Sequence, residues 1–64
     1  MKSDLIDLEV ELHARSERGV KVSIDGVSSN AVWLPLSQIE ISHKFSTIYE
    51  ITLPEWLALE KGLI

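Results

Sequence analysis

The chain has 64 residues, a formal net charge of −4 at pH 7 and a hydrophobic content of 45%. This length allows a single domain, residues 1–64, and the apolar content excludes an acidic disordered tail. The lack of cysteine excludes disulfides and thiolate metal sites, and the net charge argues against nucleic acid or an anionic membrane as a target of the whole domain. We therefore expect one cytoplasmic domain without signal peptide, membrane span or cofactor.

Alternation of apolar and polar side chains predicts the first two strands. Residues 5–15 alternate strictly, which is the period of a half-buried strand. Residues 20–25 alternate in the same way, and 16–19 is typical of a turn in which Gly19 can take a positive φ. The dipeptide Asp25-Gly26 then predicts a second tight turn.

The middle of the chain predicts three more short strands. Residues 31–34 are continuously apolar, which indicates a buried strand, and Pro35 ends it because proline donates no hydrogen bond to a sheet. We then predict a helical turn at 36–38, a strand at 39–42, a loop over His43, Lys44 and Ser46, and an alternating strand at 47–53.

After the last strand the apolar period changes from two to that of a helix. Pro54 suits the first helical turn, and Gly62 suits the position after the last one. These signals predict a helix over about 54–61 that closes one end of the sheet, with Trp56 in the core. The apolar residues at helical spacing are Trp56, Leu59 and Leu63.

The stretch Val32-Trp33-Leu34-Pro35-Leu36-Ser37-Gln38-Ile39 is similar to the end of a Src-homology-3 domain. In that family a strand meets a proline, here Pro35, makes one tight helical turn and enters a strand, here at Ile39. Gln38 stands where the family has its peptide-groove tyrosine, and the family's aromatic opening has no counterpart. Five short strands and a terminal helix in 64 residues predict a mostly β fold, either a Src-homology-3-like barrel or a curved antiparallel sheet with a short C-terminal helix, and the resemblance supports this architecture. It speaks against recognition of proline-rich peptides, and a domain-swapped or dimeric sheet is the rival architecture.

A second resemblance extends further along the chain. Trp33-Leu34-Pro35 with Ser37-Gln38-Ile39-Glu40, and later Leu53-Pro54-Glu55-Trp56-Leu57 with Lys61-Gly62-Leu63-Ile64, resemble a module of small bacterial and phage proteins. Some of those modules accompany DNA-processing domains. The resemblance implies a bacterial or phage origin and a nucleic-acid neighbourhood, and it attaches no activity to the chain.

Residues that could support catalysis do not form a known motif. Neither His13 nor His43 has a partner at metal-ligand spacing, so both are interpreted as surface histidines. The serines lack a nucleophile-elbow context, and the isolated glycines form no phosphate-binding loop. We therefore expect a non-enzymatic module with no catalytic, metal or cofactor site.

Three features are candidates for binding: an acidic row on the first strand, a basic cluster at the first hairpin, and one tryptophan. Their residues are Asp7, Glu9 and Glu11; Arg15, Arg18 and Lys21; and Trp33. The acidic row is either a solvated face or a stripe for a basic partner. The tryptophan either packs in the core beneath the terminal helix or lies exposed as a stacking platform or interface anchor.

These features support three hypotheses. The first is a small adaptor module that recognises a protein partner or a second copy of itself through an exposed apolar patch. The second is a nucleic-acid-binding module that uses the basic cluster and Trp33. The third is an acidic inhibitor that occupies the nucleic-acid site of another protein. The first is favoured, because the net charge opposes the second.

Overall fold

A computed structural model describes residues 4–64. It contains five antiparallel strands in one sheet and a short C-terminal helix, which confirms the predicted mostly β class. The strands are β1 Leu5–Arg15, β2 Gly19–Ser23, β3 Val32–Pro35, β4 Glu40–Phe45 and β5 Ile48–Pro54, followed by α1 Glu55–Glu60. Two short 3₁₀ turns, Ser28–Asn30 and Leu36–Gln38, precede β3 and β4.

The sheet order β3-β2-β1-β5-β4 places the long strand β1 at the centre. Residues 5–11 of β1 pair with β5, and residues 11–15 pair with β2. Eleven residues of extended strand span about 36 Å, which matches the 35 Å long axis of the molecule. β1 is therefore the element that joins the two halves of the sheet.

The sheet is not closed, because β3 and β4 each have one unpaired edge. Of the two predicted forms, the open antiparallel sheet is the one observed, and the barrel is not. Both edges carry features that discourage pairing with another chain. β3 is only four residues long and ends at Pro35, and β4 has a register shift at Lys44, between His43 and Phe45.

One face of the sheet forms the core together with α1. The alternating residues predicted to face inward on β1 and β5 do so, since Val10, Ile51 and Leu53 are buried. Among residues 4–64, the buried hydrophobic residues are Val10, Val20, Val22, Leu34, Ile51, Leu53, Leu57, Ala58 and Leu63. Burial of each large side chain contributes roughly 1.5–3 kcal/mol.

The end of α1 is fixed by its backbone. Gly62 has φ +74°, the left-handed conformation expected of a glycine after a helix. The N–H of Gly62 donates to the carbonyl of Leu59 at 3.2 Å, and the N–H of Leu63 donates to that of Ala58 at 2.8 Å. This pair of bonds is the Schellman motif. It turns Leu63 back into the core, which confirms the predicted helix end.

Two local features differ from what the sequence suggested. Gly19 could have taken a positive φ in its turn, but among the glycines only Gly26 and Gly62 have one. Gly19 is required for close packing, because a Cβ at this position would lie 2.8 Å from the carbonyl oxygen of Leu34 on β3. The predicted loop over His43 and Lys44 belongs to β4, since the tight turn begins only at Ser46, whose φ is +50°.

Candidate functional site: the outer face of the sheet

The face of the sheet opposite the core carries most of the predicted interaction residues. On β1, Asp7 and Glu9 alternate with inward residues, as the sequence predicted. The strand pairing then adds carboxylates from two other strands. Glu50 of β5 lies directly opposite Glu9, and Glu40 of β4 lies opposite Thr52 of β5, which itself lies opposite Asp7. We call Asp7, Glu9, Glu40 and Glu50 the acidic face.

The acidic face has little internal compensation. Directly opposed residues on antiparallel strands have Cβ atoms about 4.5–5.5 Å apart, and like charges there are destabilising. Glu9 and Glu50 form such a pair. The Lys44 ammonium lies 3.4 Å from a carboxylate oxygen of Glu9, but both side chains are about half exposed, so that ion pair is weak. The Thr52 hydroxyl donates to Asp7 at 2.5 Å.

A shallow depression adjoins the acidic face at the end of the sheet nearest α1. Its volume is about 320 Å³, and its lining residues are Leu5, Ser37, Gln38, Ile39, Glu40 and Thr52. Leu5 lies on the same side of β1 as Asp7 and is 65% exposed. The depression therefore combines an apolar wall with the edge of the acidic face.

Glu11, the third member of the predicted acidic row, lies on the same side of β1 as Asp7 and Glu9 and is also part of a cluster with His13. The carboxylate of Glu11 lies close to the loop after β2, because a Cβ on Gly26 would be 3.4 Å from one of its oxygens. Its other oxygen lies 3.9 Å from Nδ1 of His13. Nε2 of His13 is 2.7 Å from the hydroxyl of Ser23. The cluster forms because β1 bulges between Leu12 and Ala14, so that His13 lies toward β2.

The order serine, histidine, carboxylate resembles a nucleophilic triad, and sequence spacing gave no signal for it. Ser23 is only 1% exposed, however, and the separation between His13 and Glu11 exceeds a hydrogen bond. A buried hydroxyl is closed to a substrate, so we assign the cluster a structural role that pins the bulge of β1 to β2.

Trp33 lies on the outer face of the edge strand β3. It is 47% exposed, so of the two alternatives that the sequence left open, packing in the core beneath the helix is not observed. Lys21 of β2 is its direct cross-strand neighbour. The indole lies over Gly19, 3.6 Å from where a Cβ would be. The exposed alternative, with an aromatic surface next to a cation, is therefore the one the structure contains.

The predicted basic cluster is divided by the register. Arg15 pairs with Val20, which faces the core, whereas Lys21 lies on the outer face with Trp33. Arg18 lies in the bend between β1 and β2, and its carbonyl accepts the N–H of Leu36 at 2.8 Å. Within residues 4–64, no carboxylate lies within 4 Å of these three cations. The structure thus brings Lys21 and Trp33 together but not Arg15.

Two further aromatic side chains are exposed. Trp56 on α1 is 50% exposed and Phe45 at the end of β4 is 60% exposed, so the prediction that Trp56 is core is wrong. The helix buries Leu57 and Ala58 instead. The six-residue helix buries only the side that carries Leu57 and Ala58, so Trp56 and Leu59 remain exposed.

The loop after β2 is held by Asp25. Its carboxylate accepts the backbone N–H of Val27 at 3.0 Å and the side-chain amide of Asn30 at 2.9 Å. These two bonds lower the pKa of Asp25, the backbone bond having the larger effect. On β4, Nε2 of His43 donates to the carbonyl of Ser46 at 2.9 Å, and its ring makes an edge contact with Tyr49.

Over residues 4–64, no three histidine or acidic side chains converge as a metal site would require, and no helix there has the length and apolar character needed to cross a bilayer. No protein-family model, no curated protein and no solved structure matches this chain.

Proposed function

We propose that this domain is a non-enzymatic binding module that recognises another protein or a second copy of itself. One observation carries the proposal: three of the four aromatic residues are about half exposed or more, although the core is small. They are Trp33, Phe45 and Trp56. Full burial of such a side chain would contribute roughly 1.5–3 kcal/mol, and tryptophan is enriched among residues that dominate protein interfaces.

Site-specific photo-crosslinking in cells that naturally make the protein tests this proposal. A photoreactive phenylalanine analogue replaces Trp33, Phe45 or Trp56 in turn, and Ser29 serves as the exposed control. We expect a protein adduct from at least one aromatic position and none from position 29. An adduct of twice the chain's mass indicates self-association. Adduct levels equal to the Ser29 control at all three positions would refute the proposal.

Nucleic-acid binding is the second candidate, and the neighbourhood of Trp33 and Lys21 supports it, because bases stack on exposed aromatic rings beside cations. The separate location of Arg15 and the acidic face both oppose it. Fluorescence anisotropy of labelled single-stranded DNA at two salt concentrations tests it. Binding that falls steeply with salt and is lost in Trp33→Ala would establish this candidate.

The third candidate is an acidic domain that occupies the nucleic-acid site of another protein. The acidic face supports it, since four carboxylates on three adjacent strands present a continuous negative surface. Glu11 lies on the same side of β1 and extends the row of charges that the sequence suggested.

A further inference from the structure

The depression beside Leu5 is an exposed apolar site with a defined charge environment. Leu5 and Ile39 are the apolar residues of its lining, and Glu40 and Thr52 are among the polar ones. A leucine that is 65% exposed on a sheet face gains from any apolar side chain that covers it. The occupant of this depression is therefore expected to insert an apolar group.

The surroundings of the depression specify the charge of that occupant. The next row of the sheet holds Asp7, Thr52 and Glu40, and the row after it holds Glu9, Glu50 and Ser42. Lys44 is the one cation paired with this face among residues 4–64. A neutral or acidic occupant would leave the carboxylates uncompensated, whereas lysine or arginine side chains would pair with them.

The spacing along β1 specifies the shape of the occupant. Leu5, Asp7 and Glu9 lie on one side of the strand, two residues apart, which is about 6.6 Å per step. Alternate side chains of an extended peptide have the same spacing. An extended segment with the pattern apolar-x-basic-x-basic therefore matches the depression and the two carboxylates that follow it.

We propose that the outer face of β1, β5 and β4 binds an extended basic segment of a protein partner, whose apolar side chain enters the depression beside Leu5. This inference rests on the proposed function and names the chemistry of the partner. It also explains the opposed pair Glu9 and Glu50, because a cation between them turns a repulsion into two favourable contacts.

The test is fluorescence anisotropy of a labelled peptide of about nine residues, in which one leucine is followed by lysines at alternate positions separated by serines. A scrambled peptide of the same composition, with its lysines adjacent, is the matched control ligand. We expect binding to the patterned peptide that weakens with added salt. We expect weaker binding of the scrambled peptide.

Variants separate the two parts of the site. Glu9→Gln combined with Glu50→Gln should weaken the patterned peptide about tenfold, from two exposed charge pairs. Leu5→Ser should weaken it several-fold without a change in circular dichroism, because Leu5 is largely exposed. Glu17→Gln and Leu59→Ser, which change an exposed charge and an exposed leucine elsewhere, should leave binding unchanged.

Each contrary outcome has a separate meaning. Equal affinity for the two peptides, or no effect of Leu5→Ser, would overturn the inference and leave only nonspecific attraction of cations. No peptide binding together with photo-crosslinks at Trp33, Phe45 or Trp56 would overturn the inference and keep the proposed function. Salt-dependent binding of single-stranded DNA that requires Trp33, with no peptide binding, would overturn both.

Discussion

Removal of one charge from the acidic face should stabilise the domain. Glu50 lies directly opposite Glu9, and two carboxylates about 6 Å apart in water repel by about 0.7 kcal/mol before screening by salt. Screening at physiological ionic strength, where the Debye length is about 8 Å, reduces this to about 0.3 kcal/mol. Glu50→Gln keeps the side-chain shape, so at low salt it should raise the free energy of unfolding by about 0.5 kcal/mol.

For a domain of this size, that gain raises the melting temperature by about 2–4 °C. Thermal unfolding followed by circular dichroism in about 10 mM and 1 M NaCl measures it, and the gain should vanish at the higher salt. Glu17→Gln is the matched control, since it changes the net charge equally but lies in the bend beside Arg15 and Arg18. No gain for Glu50→Gln, a gain that persists in 1 M salt, or an equal gain for Glu17→Gln would each refute the reasoning.

Three further predictions concern the scaffold of the site. Gly19→Ala should cost about 1–3 kcal/mol in urea unfolding, because its Cβ would contact a backbone carbonyl of β3 at 2.8 Å. At Gly62 φ is +74° and no atom lies within 4 Å of an added Cβ, so Gly62→Ala should cost only about 1–2 kcal/mol of backbone strain, and D-alanine there should restore stability. A smaller loss at Gly19 than at Gly62 would contradict the steric account. Ser23→Ala and His13→Ala should show a coupling of at least about 0.5 kcal/mol in a double-mutant cycle, and strictly additive losses would show that the 2.7 Å contact contributes nothing. The pKa of Asp25 is lowered in the folded protein, mainly by the backbone N–H of Val27 and then by the side-chain amide of Asn30, so its contribution to the free energy of unfolding is present at neutral pH and is lost as the pH falls below about 3.8. Asp25→Asn should therefore make the midpoint of urea unfolding less sensitive to acid, and an unchanged dependence of the midpoint on pH would refute this.

The sequence predicted the first strand and the inward residues of the sheet well, because strict alternation over 5–15 has one simple explanation. It predicted the end of α1 for a similar reason, since Gly62 follows an apolar helical period. It failed for Trp56, where apolar character suggested burial, and it left the burial of Trp33 open. Burial depends on which elements cover a residue, and Trp33 lies on the outer face of the edge strand β3, opposite the core.

The candidate site depended on long-range register. Asp7 and Glu9 were identified from β1 alone, but their partners Glu50 and Glu40 lie about forty and thirty residues away in the chain, and nothing local indicates that they join the same face. The bulge between Leu12 and Ala14, which places His13 near Glu11 and Ser23, likewise depends on the pairing of β1 with β2. A one-residue shift between strands exchanges the two faces of a sheet, so pairing had to be known first.

The sequence by itself determined the class of this protein: a small, cysteine-free, acidic domain of five short strands and a terminal helix, without a known catalytic motif. Composition and local periodicity carry that information, because they reflect short-range backbone preferences. Only the tertiary structure decided that the sheet stays open, that three of the four aromatic residues face solvent, and that four carboxylates from three strands meet beside an apolar depression. Those features follow from strand order and register, which are set by packing between residues far apart in the chain.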